Sequence, residues 1–158
     1  MLFVKSFPVA EGQDMALLGH DREAIARFAS LLLTEIAATA TDEQMSGFFL
    51  SIGKRLAASY PTGNVRELER LTQHANLVWQ AFNWGHVRFD MDDEGIDIFH
   101  EDLPRSLEGD AQGLWSRAAP LILKGAYDAW FRQVGGGGRL STSIQRREAG
   151  RVELRHGI

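Results

Sequence analysis

Residues 82–104, FNWGHVRFDMDDEGIDIFHEDLP, constrain the fold most, because they join a helix end, a tight reversal and a proline stop within 23 residues. Trp84-Gly85 closes an apolar helical pattern. Val87, Phe89 and Met91 then alternate with polar neighbours, the period of a half-buried strand. Asp92-Asp93-Glu94-Gly95 supplies turn chemistry, Ile96 and Ile98 resume the alternation, and His100-Glu101-Asp102-Leu103-Pro104 ends it. The reading is a β-hairpin directly after a helix.

Three helical patterns precede it. Asp21 is an N-cap candidate for a helix to about Thr39, with Ile25, Phe28, Ala29, Leu32, Leu33 and Ile36 on one stripe and Leu31 outside it. Thr41-Asp42-Glu43-Gln44 is a capping box for a second helix. Met45, Phe48, Phe49, Ile52 and Leu56 share its face, Leu50 points away, and Pro61 stops it. Asn64 is read as the start of a third, whose Leu68, Leu71, Ala75, Val78, Trp79 and Phe82 align, with Leu77 opposite. Each helix thus carries one large apolar residue beyond its stripe. Leu31, Leu50 and Leu77 are therefore expected in an interface between subunits.

A fourth helix falls within residues 114–134. Pro120 belongs in a first turn, so regular helix is expected from near Ser116 or Ala119, and the glycines at 135–138 stop it. Residues 139–146 and 151–155 alternate around Glu148-Ala149-Gly150 and read as a second hairpin. From Asn64 onward the order is helix, hairpin, helix, hairpin. The expected fold is a single α+β domain over residues 1–158, with N-terminal helices plus two helix-hairpin units forming a four-stranded antiparallel sheet.

Composition narrows the class. A chain of 158 residues with 44% hydrophobic and 24% charged residues can bury one core. A net charge of -4 argues against nucleic acid as a partner. No run reaches the roughly 18 apolar residues of a membrane span. The first residues lack the basic and apolar regions of a secretory signal, and there is no cysteine, so a cytoplasmic location is expected.

The charge is uneven. Residues 90–110 hold nine acids and one base, whereas residues 139–155 hold five arginines and two glutamates. The two segments either meet, within a subunit or across a boundary, or stand as two separately solvated faces. Arg146 and Arg147 are the interface candidates, and reversing both to Glu is expected to dissociate an assembly or disrupt the sheet.

Candidate chemistry is weak throughout. Asp90, Asp92, Glu94, Gly95 and Glu101 match positions 1, 3, 5, 6 and 12 of a calcium-binding EF-hand loop, but position 8 is Asp97 and the flanks alternate as strands. Asp90-Met91-Asp92 has the D-x-D form of metal-dependent glycosyltransferases, without the parallel α/β domain those enzymes need. The acids cluster on a turn instead of facing each other across a cleft, as glycosidase chemistry requires. His20, His74, His86, His100 and His156 are scattered, and His100 beside Glu101 and Asp102 reads as a locally satisfied hairpin end. Trp79, Trp115 and Trp130 read as core. Trp84 is the one tryptophan placed to stack on a sugar ring. No catalytic, cofactor-binding or metal-binding residues are assigned.

The hairpin of residues 82–104, followed by Trp115, Ala119-Pro120, Gly125, Tyr127 and Trp130, resembles the D subunit of bacterial cellulose synthase complexes over about residues 75–145. Asn83 stands where a glycine would be expected. The resemblance implies a non-catalytic accessory subunit without a cofactor. It also implies a ring-like homo-octamer at the inner-membrane synthase that guides glucan chains or organises synthases for cellulose export and crystallisation in biofilms. The implied partners are sister subunits, the catalytic synthase, a proline-rich companion protein and the β-1,4-glucan chain. Passages through the ring would be lined by Leu2, Phe3, Val4 and Lys5. The alternatives are a small-molecule sensor with an apolar pocket between helices and sheet, and an enzyme acting on glucan.

Overall fold

A computed structural model describes residues 11–135 and 138–158, with side chains from His20 onward; Leu2, Phe3, Val4 and Lys5 lie outside the described residues. The order is α1 (Glu11–Thr39), α2 (Asp42–Ser59), α3 (Leu68–Phe82), β1 (His86–Met91), β2 (Gly95–Glu101), α4 (Leu114–Gln133), β3 (Ser141–Glu148) and β4 (Arg151–Gly157). The strands form one antiparallel sheet in the order β1-β2-β4-β3, so the two hairpins lie side by side as their sequence patterns indicate. α3 packs on β1, while α4 contacts β3, β4 and, most extensively, α2. α4 is thus covered on two sides, and its buried set runs from Leu114 and Trp115 to Trp130 and Phe131.

Helix boundaries follow local chemistry, not always at the expected residue. The Thr41 box forms as read, with Gln44 N–H donating to Oγ1 and Thr41 N–H donating to Gln44 Oε1. Asp21 is not an N-cap, because α1 begins ten residues earlier, at Glu11. Nor does Asn64 open α3. It sits in a turn, and the helix starts at Leu68 after Glu67, with the preceding loop pinned to α4 by Thr62 donating through N–H and hydroxyl to Gln133 Oε1. α4 begins at Leu114 and not at Ser116 or Ala119. The Asp110 carboxylate accepts from the Leu114 and Trp115 N–H groups and so caps the helix from outside it. Pro120 therefore lies in the second turn, and the carbonyl it deprives of a donor belongs to exposed Ser116.

Two glycines set the α2–α4 separation. A Cβ on Gly53 would fall 2.0 Å from the Ile122 carbonyl oxygen, and one on Gly125 2.2 Å from that of Leu50. The helices touch backbone to backbone there, which is why Leu50 is half-buried within the chain instead of pointing away from it. At the end of α3, Asn83 takes the left-handed conformation (φ 56°) that the expected glycine would have supplied, since asparagine tolerates it.

The charged segments meet through residues other than those expected. Arg155 on β4 donates to both Asp92 carboxylate oxygens at 2.7 Å and pairs with Asp97 at 2.9 Å, holding the Asp92 carboxyl well below its usual range, helped by the Glu94 N–H. Arg146 instead pairs with Glu148 in its own hairpin. The turns lie at opposite ends of the sheet: Gly95 partners Gly157, whereas the Gly150 carbonyl accepts from Leu103 N–H. Reversing Arg146 and Arg147 is accordingly expected to leave the sheet of a single chain intact. Arg155→Glu should instead lower the melting temperature, by more at low ionic strength, where repulsion from Asp92 and Asp97 is least screened. Thermal scans of the variants at two salt concentrations check this.

Candidate interaction surface

Half of the α1 stripe read as core is on the surface, while Ala29, Leu33 and Ile36 are half-buried. Ile25, Phe28 and Leu32 are 69%, 62% and 50% exposed, and Leu31, outside the stripe, is 67% exposed. Leu33, Ile36 and Ala37 pack against the core, and two polar contacts tether the helix further toward its start. Ser30, itself buried, donates through its hydroxyl to the Glu108 carbonyl, and Arg27 pairs with the Glu108 carboxylate at 2.9 Å. Between these tethers and α2 runs an apolar groove of about 910 Å³. Its walls are Leu32, Leu33 and Ile36 of α1, Phe48 and Ile52 of α2, and Phe82 and Trp84 at the end of α3. Phe48 and Phe82, both assigned to buried stripes from periodicity, are part-exposed here.

The aromatic wall is built from below. Trp84 stacks on buried Trp79 (centroids 5.9 Å apart, planes 13° apart) and meets the Trp115 ring edge-on at 4.9 Å. Its carbonyl accepts from His100 Nε2 at 2.6 Å, and the Tyr127 hydroxyl lies 2.6 Å from His100 Nδ1. A carbonyl can only accept, so Nε2 carries the proton and Tyr127 donates to Nδ1. His100 does lie at the end of the hairpin, but its partners are distant in sequence and not local. Ile98 and His100 continue one period-2 face into the core, and the partners come from α4 and the α3–β1 connection. Gly85 fixes this connection: its φ is +76° and a Cβ would lie 1.9 Å from the Glu101 carbonyl oxygen.

Burial lowers the His100 pKa to about 4 from 6.5, the Trp84 hydrogen bond opposing and nearby His86 reinforcing the shift. The unfolded chain then binds a proton at a higher pH than the folded one, so this contribution is complete above pH 6.5 and is lost as pH falls toward 4. The loss amounts to about 3 kcal/mol. Melting temperature should fall over that window, and His100→Gln should flatten the slope.

The remaining candidates do not converge on a reaction centre. Strands flank the acidic turn, Asp90 is bonded to Arg88, Asp92 is occupied by Arg155, and Glu101 sits at the far end of the ladder opposite His86. Among the described residues, no group of three or more His, Asp or Glu is placed to hold a metal ion. A cavity of about 550 Å³ on α3 is bordered by His86 and Asp102, 3.3 Å apart and exposed, and by Leu77, which is 67% exposed. The hydroxyl there, Thr72, donates to the Leu68 carbonyl, and Asn76 is consumed by the Val87 backbone. Arg146 and Arg147 are exposed on edge strand β3.

A family model for the D subunit of cellulose synthase matches residues 19–157. The chain belongs to that family. No curated protein matches it. Membership in the cellulose synthase D-subunit family makes the chain an accessory component in cellulose synthesis, and the match spans every wall of the groove. Among the described residues, no helix of this D-subunit family member is long and apolar enough to cross a membrane. Sequence periodicity located the groove residues without revealing their exposure. The available signal was that α1 has apolar residues on more of its circumference than one neighbour can cover.

Proposed function

We propose that the protein is a non-catalytic subunit that assembles into a ring-like homo-octamer and guides glucan chains, or organises synthases, during export and crystallisation of cellulose. The observation that carries this reading is the exposed α1 stripe continuous with the aromatic groove. Four large apolar side chains within eight residues form a patch that an isolated chain would be expected to cover. The octamer would stand on the cytoplasmic side of the inner-membrane synthase. Its partners would be the catalytic subunit, a proline-rich companion and the β-1,4-glucan chain, with Leu2, Phe3, Val4 and Lys5 lining the passages.

A sensor of the kind considered from sequence would hold its ligand between helices and sheet. The groove instead opens between α1, α2 and the end of α3, on the side away from the strands. The test is deletion of the gene from a cellulose-producing cell and complementation with this chain. Polymerisation per synthase in isolated membranes should be unchanged, while the yield and crystallinity of exported cellulose should fall and be restored. A loss of polymerisation in membranes, or glucan turnover by the purified chain, would contradict a non-catalytic role.

A further inference from the structure

We propose that a cavity rimmed by Arg105, Arg117 and Arg147 receives the acidic β1–β2 turn of a second copy of this chain, an inference that rests on the self-assembly proposed above. The cavity, of about 450 Å³, lies at the end of the sheet near the β3–β4 turn, with Pro104 and buried Val152 among its walls. A register shift between Ile144 and Arg146 sets its charge. Before the shift, Thr142 and Ile144 pair with His156 and Leu154 on the helix-covered face; after it, Arg147 pairs with Val152. Residues paired across an antiparallel ladder share a face, so the bulge turns Arg147, not Arg146, toward α4 and Arg117. Arg117 is held by Asp42 at 2.6 Å, and Glu148, the acid on the rim, is neutralised by Arg146. Among the described residues, Arg105 and Arg147 make no ion pair.

The turn offers the complement. Asp92 is fixed by Arg155, which sets the shape of the tip, and Asp92 Oδ1 accepts from the Glu94 and Gly95 N–H groups. Asp93 and Glu94 are exposed and, among the described residues, unpaired. Met91 beside them is 71% exposed, an apolar side chain suited to the walls formed by Pro104 and Val152. Turn and cavity lie at opposite ends of one sheet, so no chain can satisfy both by itself. The contact is head to tail, joining unlike surfaces, which closes into a ring or extends into a filament according to the rotation between copies.

Charge-swap variants of the full chain test it by sedimentation velocity at low and high salt, with circular dichroism to confirm folding. Asp93→Arg with Glu94→Arg, or Arg105→Glu with Arg147→Glu, should each weaken self-association by at least about tenfold at low salt. All four changes in one chain should restore it to within about threefold of the original. Self-association unchanged by both double reversals, whether or not another anionic partner is lost, overturns the proposal, as does a fourfold variant no better than its parents. If α1 variants still dissociate the assembly in that case, the accessory-subunit reading stands without this contact.

Discussion

Gly53→Leu and Gly125→Leu should each abolish the native packing of α2 on α4. The atoms a side chain would meet are backbone: the Ile122 oxygen at 2.0 Å and the Ala126 nitrogen at 2.7 Å for Gly53, the Leu50 oxygen at 2.2 Å for Gly125. No rotamer change relieves such contacts. The helices must separate, and separation exposes Phe49, Ala57, Ile122 and Ala126, all buried at present. Overpacking that side chains can absorb costs about 1–3 kcal/mol, and a backbone clash exceeds that range. Even alanine at either position should destabilise the chain measurably. Gly47, on the same helix with nothing within 4 Å of its Cβ position, is the control. Gly47→Ala should stabilise by up to about 1 kcal/mol, because exposed helical glycine loses more backbone entropy on folding. Urea unfolding of the variants measures both effects, and equal responses at positions 47, 53 and 125 would contradict the close helix approach.

The second large effect concerns assembly and not folding. Phe28 and Leu31 are 62% and 67% exposed, so Phe28→Glu with Leu31→Glu should change the stability of the isolated chain by only about 0.5 kcal/mol per site. Burying such side chains between subunits contributes about 1.5–3 kcal/mol each. Removing two and placing charges there should therefore weaken each contact by at least about two orders of magnitude, since 1.4 kcal/mol is tenfold. The expected product is a folded, helical species of lower mass. Unfolding instead would show that these residues support α1 within its own chain.

The sequence was most legible where local chemistry decides structure. The capping box at Thr41, the turn at residues 92–95 and the alternation in 86–101 each specify an element within a few residues, and the sheet follows from two such hairpins packed side by side. Boundaries set at a distance were not legible. α4 begins where Asp110 reaches its first N–H groups, and the start of α3 depends on a loop tied to Gln133. Periodicity likewise reports that a face is apolar and not what covers it, so Ile25, Phe28 and Leu32 read as core although nothing among the described residues buries them. The core histidines show the converse. His100 and His156 follow Ile98 and Leu154 at period 2, yet their polarity masked an alternation that continues into the core. Opposite charge blocks correctly indicated neighbouring hairpins, but strand direction decided that Arg155, and not Arg146 or Arg147, meets the acids within the chain.

Multi-angle light scattering of the purified full chain at micromolar concentration, beside the Phe28→Glu, Leu31→Glu variant, tests the central claim most directly. Self-assembly through α1 and its groove predicts an integral multiple of the 17.6 kDa chain mass, larger than a dimer and octameric in its narrowest form, with the variant falling to a smaller species of unchanged helicity. A wild-type mass of 17.6 kDa under those conditions, or a variant that keeps the wild-type mass, would contradict it.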